Sequence, residues 1–158
     1  MRYALVYGLL SGGVIIAVIL AGLTLAPDNS IFQTVWFGYL VMFVAMTFVF
    51  VGVKRYRDVE KGGVIRFGPA LVMGLAIALV AVLAYVAIWE IYLVATNYAF
   101  IDKYFAGTDP AVVAWREWYE NPLNRAGTTM FEIGPVGLIV AFVSAALLRN
   151  PKLLPARQ

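Results

Sequence analysis

The stretch Lys54–Gly68, KRYRDVEKGGVIRFG, is the long charged interruption in a chain otherwise made of apolar runs, each long enough to cross a bilayer. It carries Lys54, Arg55, Arg57, Lys61 and Arg66 against Asp58 and Glu60. Short basic loops beside membrane spans stay on the cytoplasmic side, so this loop sets the expected threading. A hydrophobic fraction of 63%, a charged fraction of 13% and a mean hydropathy of +0.85 are outside the balance of soluble domains. The surplus apolar surface needs lipid, and 158 residues leave little chain for anything besides one membrane domain and its loops.

Four spans are expected, at about 3–26, 32–53, 69–95 and 129–148, giving an all-α membrane protein with both termini cytoplasmic. The first run is uncharged and longer than the apolar core of a signal peptide, so it reads as a retained span rather than a cleaved leader. Pro27-Asp28-Asn29-Ser30 is a turn cluster, which makes the first outer loop very short. Gly68-Pro69 opens the third span, and from there no charge occurs until Glu90, about 31 Å later at 1.5 Å per residue. Helical character is expected to continue through Tyr92, Tyr98 and Tyr104 until Gly107.

The long outer loop, 96–128, holds Asp109-Pro110, an N-cap followed by a first-turn proline, ahead of Ala111–Glu120. Val112, Trp115, Trp118 and Tyr119 recur there at helical spacing, so a short amphipathic helix along the outer interface is expected. Thr129-Met130-Phe131-Glu132 matches a capping box and is the expected start of the fourth span. Pro135 then falls inside that helix, where it should introduce a kink. On this threading nine of the twelve Lys and Arg residues are cytoplasmic, and Trp36, Trp89, Trp115 and Trp118 all fall near the outer interface.

Three segments together resemble a known family. YGLLSGG from Tyr7, GYLVMFVAMTFVFVGVKRYRD with GGVIRFGPAL from Gly38, and NPLNRAGTTMFEIGPVGLIVAFVSAALLR from Asn121 are similar, in order and spacing, to the bacterial membrane family called domain of unknown function 4199. The outer loop is shorter than that family's, and Gly134 stands where a larger residue is expected. The resemblance implies a four-span helical fold and a bacterial inner membrane. It supplies no catalytic or binding residue.

Small residues recur at four-residue spacing in three spans: Gly13, Ala17 and Ala21; Ala70, Gly74 and Ala78; Gly137, Ala141 and Ala145. Such ridges let helix backbones approach closely in lipid, where no hydrophobic drive joins helices. The bulky side chains of span two, Trp36, Phe37, Tyr39, Met42, Phe43, Met46, Phe48 and Phe50, are expected to fill the grooves between them.

The chain has no cysteine and no histidine, which removes thiol chemistry, imidazole ligands and the commonest general base. No phosphate loop can be assembled, since Gly62-Gly63 and Gly68 lack a following Lys-Ser/Thr and a preceding strand. Ser11, Thr47 and Ser144 have no group to activate them and should bond the carbonyl one turn back. Asp58 and Glu60 read as solvated loop charges. No basic stripe suited to nucleic acid is present. No cofactor or metal is expected, nor an enzyme's nucleophile.

Glu90 and Glu132 are the acids at span edges, and intramembrane acids are functional candidates. They are expected at similar depth under the loop helix, sharing a cation, with Arg125 the nearest and Arg116 and Lys103 as alternatives. Two functions follow: a non-enzymatic accessory protein binding other membrane helices or copies of itself, or a small-solute or proton-coupled transporter using Glu90 and Glu132.

Overall fold

The computed structural model describes residues 1–25, 34–106 and 109–155, apart from the Val35 side chain. Its helices are α1 (Arg2–Leu25), α2 (Val35–Glu60), α3 (Phe67–Ala95), α4 (Ala99–Tyr104), α5 (Pro110–Glu120) and α6 (Pro122–Leu148), and no strand occurs among the described residues. Four of them, α1, α2, α3 and α6, are long and apolar enough to cross a membrane. The turn at Pro27–Ser30 and the stop at Gly107 lie outside the described residues.

The four long helices close into a ring, α1 touching α2 and α3, and α6 touching α2 and α3, with α1 and α6 at opposite corners. Glycine decides how close the neighbours come. A Cβ at Gly8 would sit 2.8 Å from the Ile77 carbonyl oxygen, and one at Gly12 would strike the Ala81 carbonyl. Backbone therefore lies on backbone along the α1–α3 seam, which only a residue without a side chain allows. On the α3–α6 seam a Cβ at Gly74 would meet Ala141 at 3.1 Å, and one at Gly137 would meet Ala78 at 3.1 Å.

Two of the three small-residue ridges thus line the interior: Ala70, Gly74 and Ala78 on α3, and Gly137, Ala141 and Ala145 on α6 are all buried. The α1 ridge is corrected. Its packing stripe is Ala4, Gly8, Ser11, Gly12 and Ile15, whereas Ala17 and Ala21 are exposed and Gly13 faces open space. Ala4, Gly8 and Gly12 form one four-residue repeat and Gly13, Ala17 and Ala21 another, the adjacent Gly12 and Gly13 lying on faces 100° apart, and spacing alone does not choose between them. Ser11 does choose: its hydroxyl donates to the Ala45 carbonyl of α2 at 2.9 Å rather than to its own helix. Thr47 and Ser144 bond back to Val44 and Val140 as expected.

Span two fills the interior with sulfur rather than rings. Met42 and Met46 are buried, while Trp36, Tyr39 and Phe43 are exposed and Phe37, Phe48 and Phe50 are half-buried. Flexible thioethers fit the irregular gap beside Gly137, 3.6 Å from the Met46 methyl to a Cβ placed there, better than flat rings would.

Two helix boundaries differ from expectation. Helix α2 runs on to Glu60, so the linking loop is short and turns on Gly62 and Gly63, both at positive φ. Helix α6 starts a full two turns early, at Pro122, because the Asn121 side chain accepts from the Leu123 and Asn124 backbone N–H groups. Thr129 is therefore no cap; its hydroxyl donates to the Arg125 carbonyl within the helix. The helix continues through Pro135 to Leu148.

Candidate functional site: a buried arginine joint and an outward carboxylate

The α3–α6 register that brings Gly74 to Ala141 and Ala78 to Gly137 continues in four-residue steps. It sets Glu90 opposite Arg125. Arg125 Nε donates to Glu90 Oε1 at 2.8 Å and Nη2 to Oε2 at 2.6 Å, a bidentate pair. Arg125 is 1% exposed and the Glu90 side chain 27%.

A cation in the first turn of α6 opposes that helix's dipole, so Arg125 needs compensation there. Glu90 supplies part of it. The rest comes from α5, whose last carbonyls, Tyr119 O and Glu120 O, accept from Arg125 Nη1 at 3.0 and 3.3 Å. The same guanidinium thus caps the C-terminus of α5, where a cation is favoured, and ties α3, α5 and α6 together.

Helix α3 stops in time to allow this. Instead of continuing to Gly107, it ends at Ala95, and Asn97 and Tyr98 both take left-handed φ values, 49° and 60°. Asn visits that region readily and Tyr does not; Tyr98 is held there by its N–H donating to the Leu93 carbonyl at 2.8 Å. The reversal brings the Tyr98 ring to 5.5 Å from the Arg125 guanidinium, with Tyr119 at 5.8 Å on α5. Trp89 Nε1 donates to the Tyr119 hydroxyl at 3.2 Å. Burial pushes the Tyr119 phenol above its ordinary value, the charges of Glu132 and Glu90 adding to this and the Trp89 N–H and Arg125 opposing it.

Above the pair lies a polar cavity of about 280 Å³ lined by Tyr98, Ile101, Asp102, Arg116, Glu120 and Arg125. Arg116 bridges Asp102 and Glu120, which hold its guanidinium firmly charged. The covering helix is α5, as expected, but Tyr119 does the covering. Trp115 and Trp118 stay exposed, on a groove shared with Leu123, Asn124, Gly127, Thr128 and Phe131 of α6.

Glu132 does not join Glu90. In the seam's register it lies level with Leu83, about 10 Å along the axis from the Glu90–Arg125 level at 1.5 Å per residue. It is exposed on the flank of α6 and has no hydrogen bond or ion pair with any described residue. The expected shared cation is absent, because Arg125 is committed to Glu90.

The basic end holds the residue that sequence reasoning missed. Arg57 is not a solvated loop cation: it is 0% exposed, on the last turns of α2. Nε donates to Asp58, Nη1 to the Leu148 and Leu153 carbonyls at 3.5 and 3.2 Å, and Nη2 to the Leu154 carbonyl. Asp58 also takes Lys54, and Glu60 accepts from the Tyr3 hydroxyl, so neither acid is a free loop charge. Arg55, Lys61 and Arg66 are exposed, Lys61 lying 5.6 Å from the Tyr56 ring. The available signal was the Lys54–Asp58 spacing, an i,i+4 pair that favours helix over loop.

Among the described residues no three His, Cys, Asp or Glu side chains group as metal ligands would. Arg125 and Glu90 each spend their charge on the other, so the arrangement is a joint rather than an acid or base poised for chemistry. Residues 6–150 match the family described as a protein of unknown function, DUF4199. No curated protein and no solved structure matches the chain.

Proposed function

We propose that this chain, which belongs to the DUF4199 family of proteins of unknown function, is a non-enzymatic multi-pass membrane protein that works by binding other membrane helices, as an accessory subunit or in a homo-oligomer. The carrying observation is the third small-residue ridge: Gly13, Ala17 and Ala21 sit on the outer face of α1 while the bundle closes without them. A ridge of that kind offers close backbone approach to a helix from outside. In this reading Arg2, the Lys54–Arg66 cluster, Arg149 and Lys152 lie at the cytoplasmic face of a bacterial inner membrane, and α4 and α5 cover the outer end.

The transporter reading draws less support. It needs Glu90 and Glu132 to act together, yet Glu90 is locked by Arg125 and Glu132 lies about 10 Å deeper. Chemical cross-linking in mild detergent tests the helix-binding reading. Ala17→Leu with Ala21→Leu should abolish cross-linked species while leaving the bundle folded, since both side chains lie outside it. A strictly monomeric, partner-free native protein overturns it.

A further inference from the structure

We infer that the flank of α6 carrying Glu132 is the docking face for a separate membrane-spanning helix that presents a hydrogen-bond donor, such as an amide or a basic side chain, at mid-depth. This rests on the helix-binding reading and assigns it a second face, with the chemistry of the partner.

The α6 flank around Glu132 presents acceptors. Glu132 is three residues from the midpoint of α6 and exposed, with no hydrogen bond or ion pair to any described residue. Thr128, one turn away on the same stripe, gives its only hydroxyl proton to the Asn124 carbonyl at 2.9 Å, which leaves its oxygen as an acceptor. Pro135 has no N–H, so the Phe131 carbonyl loses its regular helical donor beside Glu132. These three groups lie within two turns of α6, along which Phe131, Leu138, Ile139 and Phe142 are exposed.

Lipid tails satisfy none of these oxygens, and a charged side chain at the centre of a bilayer is costly. Among the described residues no cation pairs with Glu132. Arg125, the cation on the same helix, is held by Glu90 and the end of α5. Charge complementarity therefore calls for a donor on a second helix, laid along the apolar stripe so that the donor reaches Glu132. A lipid ammonium group is kept at the headgroup level and does not reach this depth.

The test uses a synthetic membrane-spanning Leu/Ala peptide with one central Asn, and the same peptide without it, in lipid vesicles. The chain has no cysteine, so a fluorophore on Val59→Cys, an exposed site at the basic end, reports binding by energy transfer. The Asn peptide should bind the native protein about 3- to 30-fold more tightly than the plain peptide, the range of interhelical hydrogen bonds in membranes. Glu132→Leu should erase that preference, and Glu132→Gln, which keeps an acceptor, should retain part of it. Equal binding of the two peptides to native protein overturns the inference. Glu132-dependent self-association without peptide also overturns it, giving the face to a second copy. Because the Ala17→Leu, Ala21→Leu variant reads the α1 ridge separately, loss of either face leaves the other reading standing.

Discussion

Two arginines are fully buried in this bundle, one near each end, and they are buried in different ways. Arg125 meets a carboxylate from another helix face to face, accepts two ring faces and caps a third helix. Arg57 meets a carboxylate only from its sequence neighbour, and spends its other donors on the carbonyls that follow α6. The first neutralises a charge across the seam; the second pairs within its own helix with Asp58, which Lys54 also holds, and otherwise satisfies backbone. A buried charge pair with no other cation at hand is expensive to break, because the survivor keeps its desolvation cost, whereas the carbonyls of exposed Leu153 and Leu154 can turn to water. The two joints should therefore differ in strength by more than their similar burial suggests.

The largest effect is expected for Arg125→Leu, which strands Glu90 and uncaps α5. It should cost about 3–5 kcal/mol, the range for breaking a buried pair by removing one partner. Thermal unfolding in detergent would measure it, and the double variant Arg125→Leu, Glu90→Leu should recover much of the loss. If the double variant is no better than the single, the charge pair is not what makes this end strong. Arg57→Leu should cost less, about 1–3 kcal/mol, and should appear first as faster proteolysis after Leu148, since the tail is what it holds. Equal losses at both ends would break the comparison.

A smaller effect belongs to Tyr119→Phe, which leaves the Trp89 N–H without its acceptor at a cost of about 0.5–1.5 kcal/mol. It also sharpens the picture through pH. The half-buried phenol holds its proton above the unfolded value of about 10, so its contribution is intact below that pH and is lost as pH rises towards the folded value. Stability of the native protein should fall above about pH 10, and less steeply in Tyr119→Phe. An unchanged alkaline slope would mean that burial does not raise the phenol's pKa. The smallest effect is expected for Arg116→Gln, whose pairs with Asp102 and Glu120 are exposed and should be worth about 1 kcal/mol or less, fading with salt.

Legibility varied with the range of the interaction. The third span, expected at 69–95 and found at Phe67–Ala95, and the loop helix after Asp109-Pro110 were readable because apolar run length and cap chemistry are local. The fourth span's start was misplaced because two valid N-cap patterns lie eight residues apart. Asn121 won, and Thr129 turned inward to bond its own helix. Arg125 is the expected cation of a shared Glu90–Glu132 site, and the structure gives it to Glu90 alone, since the seam register, which sequence does not reveal, sets Glu132 about 10 Å away along the axis.

The sequence alone determined that this chain is a bundle of membrane-length helices, because the free energy of placing each long apolar run in lipid depends on that run's own composition. Only the tertiary structure decided which of two glycine stripes on α1 would pack, that Arg57 would be buried and that Glu132 would be left outside. Those outcomes depend on each helix's rotation and register against its neighbours, and at Gly12 and Ala81 these follow from contacts between backbones rather than from any property of one helix.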